Sequence, residues 1–551
     1  MKIALAQFNP IVGDIVGNLD RSRKLIAQAA DAGARLVVFG ELSLVGYPPR
    51  DLLRKERFVA DSEAAAASLA RTCTQTAALV GFVRRNPAAS GRPLQNCAAL
   101  LSEGKIQHIY AKALLPTYDV FDETRYFEPG PDHPCLEIAG GRLGLSICED
   151  LWDSASLGRA LYERDPIAQL RSCGADIIIN MAASPYQMGK PRLREELFAR
   201  RAAAAKAAIV YVNQVGGNDE LVFDGGSAVI GPDGSVVARA KSFEEDLLVV
   251  ETADLGASRR ETPAEEIDSL WSALKLGLRD YVRKCGFSSV VLGLSGGIDS
   301  ALVAALGAEA LGPDNVHALA MPSRYSSDHS LADAQALARA LGIHYRVLPI
   351  EGVHAAYEQA LGEVLAGGWE EIAYENVQAR IRGAMVMAAS NARGHMALAT
   401  GNKSELSVGY CTLYGDMCGG LAPIGDVLKT QIYTLARRIN ARAGREVIPQ
   451  STIDKAPSAE LKPNQTDQDK LPPYDVLDAI LQRYIEGEKT ALQIIDEGFD
   501  AQTVHRVVAM VDSAEHKRRQ AAPVLKVTAR AFGSGRRMPI AQRYIPQAGE
   551  F

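Results

Sequence analysis

Apolar segments along this chain alternate between strand-like and helix-like patterns. Short apolar runs predict strands at Ile3 to Gln7, Leu36 to Phe39, Ala77 to Val83, Cys97 to Leu101, Lys105 to Tyr110, Arg142 to Ile147, Asp176 to Asn180 and Ile209 to Asn213. Helical segments fall between them at Asn18 to Ala32, Glu63 to Ala70 and Leu193 to Ala208. Phe223 to Gly226 reads as a turn, and Ser227 to Ile230 pairs with Ser235 to Ala238 around Pro232-Asp233-Gly234. A polar stretch then breaks the pattern. It divides the chain into a first domain over 1–252, a linker over 253–268 and a second domain over 269–551. The second domain opens with a helix over Ser269 to Cys285 and a buried strand over Val290 to Leu294.

That strand runs into Ser295-Gly296-Gly297-Ile298-Asp299-Ser300 and an alanine-rich helix. The small residues let backbone N–H groups approach an anion at the helix N-terminus. Asp299 and Ser300 put a carboxylate and a hydroxyl in its first turn. Three readings fit these letters. A Gly-rich strand-to-helix turn can bind nothing, and Gly293, Ser295 and Gly297 also satisfy the G-x-S-x-G nucleophile elbow of α/β-hydrolases. The third is a phosphate cradle. A Walker A loop is excluded because no Gly-Lys-Ser/Thr ends the loop, and a G-x-G-x-x-G fingerprint is absent here. The S-G-G-x-D-S string resembles the pyrophosphate loop of the ATP pyrophosphatase (PP-loop) family, which splits ATP into AMP and pyrophosphate while activating an oxygen nucleophile.

Composition narrows the classes. At 551 residues the chain exceeds one ordinary core. A formal net charge of −6 gives no broad electrostatic reason to bind nucleic acid, and no apolar run approaches the roughly 20 residues of a membrane span. The N-terminus begins directly as a strand, without a signal-peptide pattern, so the expected location is the cytoplasm. The eight cysteines show no C-x-x-C and no metal spacing, as expected of reduced thiols.

Candidate chemistry sits at strand ends. Glu41, Lys112 and Cys148 each follow an apolar strand, where functional groups gather in α/β sheets. Together they supply a thiol nucleophile, a carboxylate base and an ammonium for the oxyanion of an attacked amide. Glu149 and Asp150 would raise the thiol's pKa, and Lys112 would offset them. Their contexts are Phe-Gly-Glu41-Leu-Ser-Leu-Val-Gly-Tyr-Pro-Pro, Tyr-Ala-Lys112-Ala-Leu-Leu-Pro and Leu-Ser-Ile-Cys148-Glu-Asp-Leu-Trp. In this order they resemble the nitrilase (carbon–nitrogen hydrolase) superfamily over about residues 1–250. That resemblance implies an αββα sandwich with a Glu-Lys-Cys triad, and Glu123 matches the family's additional glutamate. The stretch Asn180 to Lys190 resembles the substrate-side loop, which implies Ser184 and Lys190 as glutamine contacts, with Tyr118 as a third.

In the second half, Asn376 and Arg380 lie four apart on a helix and share a face suited to ribose or phosphate. Glu405 can join Asp299 in holding Mg²⁺ between phosphates, and Lys429 can balance phosphate charge. Pro457 to Pro473 is polar and proline-bounded, readable as a lid or as disorder. The strings S-G-G-I-D-S, E-N-V-Q-A-R-I-R, A-T-G-N-K-S-E and Pro523-Val-Leu-Lys-Val-Thr resemble NAD synthetases. Joined to the first domain, nearly the whole chain resembles the bacterial glutamine-dependent NAD⁺ synthetase family. The resemblance implies a doubly wound parallel-sheet PP-loop domain (adenine nucleotide α-hydrolase-like) after the sandwich. It implies ATP contacts from Gly293, Leu294, Ser295, Gly296, Gly297, Ile298, Asp299, Ser300, Thr400, Lys429 and Ser458. Deamido-NAD⁺ contacts are implied for Asn376, Arg380, Glu405 and Lys526. Ser458 stands where relatives carry threonine, and keeps the hydroxyl.

The implied reaction joins ammonia released from glutamine to adenylated deamido-NAD⁺, giving NAD⁺, AMP, pyrophosphate and glutamate. Its expected partners are small molecules only (glutamine, ATP as substrate, deamido-NAD⁺, with Mg²⁺), without nucleic acid or membrane. A shielded ammonia tunnel and a homo-oligomer, a dimer of synthetase domains or an octamer, are also expected. Rival glutamine amidotransferases fit less well. An asparagine synthetase-like chain needs an N-terminal cysteine where this one has Lys2, and a GMP synthetase-like chain needs a histidine that Cys148 lacks nearby. A nitrilase-type amidase with a non-catalytic nucleotide sensor is a rival of another class. It would release no pyrophosphate.

Overall fold

The computed structural model describes residues 1–131, 135–138, 141–252, 258–364 and 371–544. The chain divides into two compact units, Met1–Ser269 and Leu270 onward. Each unit has its own core. Of the expected linker, 253–257 lies outside the described residues.

The first unit contains β1 (Lys2–Gln7), α1 (Ile15–Asp31), β2 (Leu36–Phe39), α2 (Glu56–Ala70), β3 (Ala77–Arg85), β4 (Leu94–Ser102) and β5 (Lys105–Ala111). These are followed by β6 (Leu136–Ile138), β7 (Gly141–Ile147), α3 (Ser154–Leu157), α4 (Pro166–Ser172), β8 (Ile177–Ala182), α5 (Lys190–Ala205) and β9 (Ala208–Asn213). A ribbon of β10 (Val215–Asn218) and β11 (Leu221–Asp224), then β12 (Ala228–Ile230), β13 (Val236–Arg239) and β14 (Asp246–Glu251), complete the strands. They build two six-stranded sheets, ordered β14-β1-β2-β3-β4-β5 and β13-β12-β9-β8-β7-β6.

Alternation along β1 and β2 explains the layering. Ile3, Leu5, Leu36 and Val38 point to one face and join Leu145, Ile179 and Val210 in a core between the sheets. Their neighbours Ala4, Ala6, Val37 and Phe39 point the other way, onto Ile26 of α1 and Ala66 and Leu69 of α2. On the far side of the second sheet, Ile167 and Leu170 of α4 and Leu197 and Phe198 of α5 close the stack. The result is the αββα sandwich implied by the sequence. Helix starts fall earlier than periodicity placed them: Asp14 caps α1 by accepting from Gly17 N, and α5 starts at Lys190.

The second unit opens with α6 (Glu266–Lys284), whose first residues precede the division, and β15 (Val290–Gly293). Next come α7 (Ile298–Leu311), β16 (Val316–Ala320), α8 (Asp328–Leu341), β17 (His344–Val347), α9 (Glu351–Leu361), α10 (Glu371–Arg393) and β18 (Met396–Leu398). They are followed by α11 (Lys403–Val408), α12 (Lys429–Ala443), α13 (Gln450–Asp454) and α14 (Tyr474–Leu481). Four strands form a parallel sheet ordered β17-β16-β15-β18. Val291 and Ala397 pack on Val377 and Ile381 of α10 on one face. On the other, Gly307 of α7 lies against the Val290 and Val316 side chains, so helices cover both faces. The strand order reverses beside β15. The loops that follow β15 and β18 therefore flank a topological switch point, where such sheets bind ligands.

Candidate functional site

The two units carry separate clusters of buried charge. In the first, β2, β5 and β7 end at one level of the sandwich and deliver Glu41, Lys112 and Cys148. Close packing makes this geometry. A Cβ on Gly130 would stand 2.2 Å from the Ala111 carbonyl oxygen, so only glycine lets that segment cross beside Lys112. Lys112 Nζ donates to Glu41 Oε1 at 2.7 Å and to Glu123 Oε1 at 2.8 Å. Glu41 is further fixed by Asn96 Nδ2 at 2.7 Å on Oε1 and by the Ala183 amide at 3.2 Å on Oε2. Tyr47 Oη donates to Glu123 Oε1 at 2.9 Å. All of these charged side chains are buried.

Burial opposes the charge on Lys112, but Glu123 and Glu41 outweigh it and hold the ammonium well above its usual value. Burial pushes the Glu123 carboxyl up to about 7, against the pull of Lys112. Cys148 begins a single 3₁₀ turn, Cys148–Leu151, and adopts φ 44°, a left-handed conformation that a non-glycine residue holds only at a cost. The turn leaves the thiol among Glu41, Lys112, Glu149 and Glu123. Burial first, and Glu41 second, raise it well above the usual thiol range, and Lys112 only partly offsets them. The sequence anticipated the offset by Lys112 but not the dominance of burial.

Glu149 meets Tyr118, one of the expected glutamine contacts. Its carboxylate accepts from Tyr118 Oη at 2.9 and 3.0 Å and from Tyr162 Oη at 2.9 Å. Burial raises its pKa, with Lys112, the two tyrosines and Lys190 pulling down. Ser184 follows β8 and is buried, its amide donating to Asn213 Oδ1 at 2.9 Å. Lys190, the first residue of α5, holds Nζ 5.8 Å above the Trp152 ring.

In the second unit the expected nucleotide residues fall into groups. Gly293 to Ser300 run from the last residue of β15 through a short loop into the first turn of α7. Gly296 has φ 84°, and a Cβ there would lie 2.2 Å from the Ser330 carbonyl oxygen, so both conformation and space demand glycine. Ser295 and Ser300 share a hydrogen bond of 3.2 Å between their hydroxyls, and the Gly297 amide donates to Ser295 Oγ at 3.2 Å. Asp299 and Glu405 converge on Lys429, which donates to both carboxylates. Asn402, the cap of α11, donates from Nδ2 to Asp299 at 3.0 Å. Burial pushes Glu405 up to about 8, with Asp299 and Asp467 adding to the rise. Lys429 is held above its usual value because Asp299 and Glu405 overcome its burial, and its Nζ lies 5.3 Å from the Tyr474 ring centre.

Thr400 lies just past β18, in the loop that leads to Asn402. Asn376 and Arg380 share a face of α10 and meet one loop: Thr412 Oγ1 donates to Asn376 Oδ1 at 2.8 Å, and Arg380 Nε donates to the Leu413 carbonyl at 3.2 Å. Lys526 is buried, with Nζ donating to the carbonyls of Thr528 and Ala529 at 2.6 and 3.2 Å. Ser458 Oγ accepts from the Glu460 amide at 3.1 Å. The 457–473 segment is described throughout, and it is tied down. Glu460 accepts from the Ser327 amide and from the Ser327 and Ser330 hydroxyls at the start of α8, and from Lys455. Leu461 O accepts from Gln378 of α10 at 2.9 Å. Asn96, Tyr47, Tyr162, Asn402, Tyr474 and Glu460 were not singled out from sequence. Tyr47 and Asn402 lie inside strings quoted from the sequence and Glu460 inside the Pro457 to Pro473 stretch, so these three carried a signal; Asn96, Tyr162 and Tyr474 did not.

The comparisons bear on both units. The chain matches the carbon-nitrogen hydrolase family over residues 2–260 and the NAD synthase family over residues 270–521. It is 48% identical to a glutamine-dependent NAD(+) synthetase of Synechocystis and 42% identical to one of Thermotoga maritima, covering 99% of this chain and of each relative. Among solved structures, the glutamine-dependent NAD⁺ synthetase of Acinetobacter baumannii in complex with adenosine diphosphate superposes with a TM-score of 0.78. That enzyme is 38% identical over 98% of both chains. The Cytophaga hutchinsonii enzyme shares the fold, with a TM-score of 0.84 at 22% identity over 98% of both chains. With this identity over its full length, the chain belongs to the glutamine-dependent NAD⁺ synthetase family.

Proposed function

We propose that this protein makes NAD⁺ from deamido-NAD⁺, ATP and glutamine, with glutaminase chemistry in the first unit and adenylation and amidation in the second. The observation that carries this reading is the presence, in one chain, of a thiol set among Glu41 and Lys112 and of a Gly-rich loop leading to the Asp299–Lys429–Glu405 cluster.

The glutaminase half needs a nucleophile, a base and an oxyanion partner. Cys148 rests as a neutral thiol, so Glu41 takes its proton as sulfur attacks the side-chain amide of glutamine. The C–S bond forms, and negative charge develops on the carbonyl oxygen, where the Lys112 ammonium stabilises it. Glu41 returns the proton to nitrogen, the C–N bond breaks and ammonia leaves. Water then attacks the thioester, Glu41 accepting its proton, and glutamate leaves as the thiol is restored. Glu123 holds Lys112 from the opposite side, and Tyr118, Ser184 and Lys190 serve the amino-acid end of glutamine.

In the second unit, the nicotinate carboxylate attacks the α-phosphorus of ATP, and pyrophosphate leaves toward the Gly293–Ser300 loop. Ammonia then attacks the acyl adenylate and AMP leaves, giving NAD⁺. Adenylation is required because a carboxylate offers only an oxide leaving group. Lys429 balances phosphate charge, with Thr400 and Ser458 on the ATP side. Asn376, Arg380, Glu405 and Lys526 serve deamido-NAD⁺. Mg²⁺ fits this unit. Among the described residues no group of three or more His, Cys, Asp or Glu is arranged to hold a metal, but Mg²⁺ usually needs only one or two carboxylates besides phosphate oxygens and water. Asp299 and Glu405 supply that pair, converging on Lys429; burial, more than the neighbouring carboxylates, pushes Glu405 up to about 8, and a bound cation would favour its ionised form. When bound, the ion would neutralise phosphate charge. Ammonia in bulk water at neutral pH would be protonated or lost, so transfer is expected to avoid the solvent. Dilution by added ¹⁵N-ammonium during glutamine-dependent synthesis measures this.

Cys148→Ala tests the assignment. NAD⁺ formation from glutamine should be lost and formation from ammonium retained. Loss of both, or survival of the glutamine reaction, would remove this division of labour.

A further inference from the structure

Asp150 is fully buried, yet the chemistry above gives it no part. It lies two residues past Cys148, and its carboxylate receives four hydrogen bonds. Oδ1 accepts from the amides of Ala113 and Leu114 at 3.0 and 2.8 Å, the two residues that follow Lys112. Oδ2 accepts from the Ile147 amide, just before Cys148, at 2.8 Å, and from Tyr110 Oη, two residues before Lys112, at 2.8 Å. Tyr110 belongs to β5 and Ile147 to β7, which lie in different sheets of the sandwich. One carboxylate therefore joins the ends of two strands across the core, bracketing Lys112 on one side and Cys148 on the other. Four donors on a buried carboxylate form a charge-assisted set that resists distortion.

We propose that Asp150 is a positioning residue that fixes the Cys148 sulfur relative to the Lys112 ammonium. The proposal rests on the glutaminase reading. Sub-ångström placement matters because the thiol must reach the amide carbon while the ammonium faces the carbonyl oxygen.

Asp150→Asn keeps the shape and the acceptor for Ala113 and Leu114. It sets an amide NH₂ group against the Ile147 N–H, and so breaks the link to the nucleophile. In the full-length chain we expect kcat with glutamine to fall about 10²-fold, as for a misplacement of about 1 Å, with KM for glutamine changed by less than about threefold. The ammonium-supported rate should be unchanged. Tyr110→Phe removes one donor and leaves three, and should lower kcat less, in the same selective manner. It decides the matter if Asp150→Asn fails to fold. An unchanged kcat in the decisive variant would overturn the proposal. So would a parallel fall of both activities with a lower unfolding temperature, which a merely structural carboxylate would give. Cys148→Ala, run alongside, separates the two ideas: glutamine-dependent activity in that variant removes the glutaminase reading itself.

Discussion

Lys112 stands between two buried carboxylates, and this sets how the first site answers pH. Glu123 is an acid whose folded pKa, pushed up to about 7 chiefly by burial, lies above its unfolded value of ~4.3. The folded chain keeps a proton that the unfolded chain releases, so this group's contribution to stability is present below ~4.3 and is lost as pH rises toward 7. Catalysis runs the other way, because only ionised Glu123 anchors the ammonium. Glutamine-dependent turnover should rise with pH through about 7 in a pH–rate profile, and Glu123→Gln should remove that limb and lower the plateau. Ammonium-dependent synthesis should show neither change. At this scale Glu41, Lys112 and Cys148 were legible because each is a polar residue that ends an apolar strand. Asn96 was not, since an amide within a strand looks the same whether or not it touches a catalytic group.

Among the elements, the loop between β15 and α7 shows how little freedom the proposed phosphate site leaves. Gly296→Ala would combine a positive φ, costing about 1–3 kcal/mol, with a Cβ 2.2 Å from the Ser330 carbonyl. NAD⁺ formation should fall more than about tenfold with either nitrogen source, and calorimetry should show weakened ATP binding. The segment over 457–473 is governed by Glu460, which bridges it to the start of α8 and to Lys455. Hydrogen bonds to a charged group contribute about 1.5–3 kcal/mol, so Glu460→Gln should speed amide exchange across 457–473 about tenfold or more, read by mass spectrometry. Strands with alternating or β-branched runs were readable. The edge strand β14 was missed because Asp246–Glu251 is bounded by charges, and its place beside β1 depends on pairing between the two ends of the first unit, Lys2 with Glu251 through Gln7 with Asp246. The ribbon of β10 and β11 was missed because Gly216 and Gly217 blur its pattern. The attachments of 457–473 to α8 and α10 are tertiary contacts that no local pattern announces.

For the whole molecule, two units with separate cores predict that the two chemistries fail separately. Asp299→Asn should abolish NAD⁺ formation from glutamine and from ammonium alike, by about 10²-fold or more. Release of glutamate from glutamine should persist in the same preparation, measured directly. Together with Cys148→Ala this gives two complementary losses. The overall organisation was legible because the apolar pattern breaks once near residue 253, and because motifs of two kinds fall on either side. The burial of the nucleophile has one more consequence. Peroxides react with thiolates far faster than with thiols, and the Cys148 thiol is held neutral by its surroundings. Cys73 and Cys97 are likewise pushed up by burial, to about 11 and about 12. The resting nucleophile is therefore chemically quiet under oxidative stress, and its sulfur becomes vulnerable only when Glu41 draws its proton away. Oxidative inactivation should follow the number of catalytic cycles rather than the time of exposure.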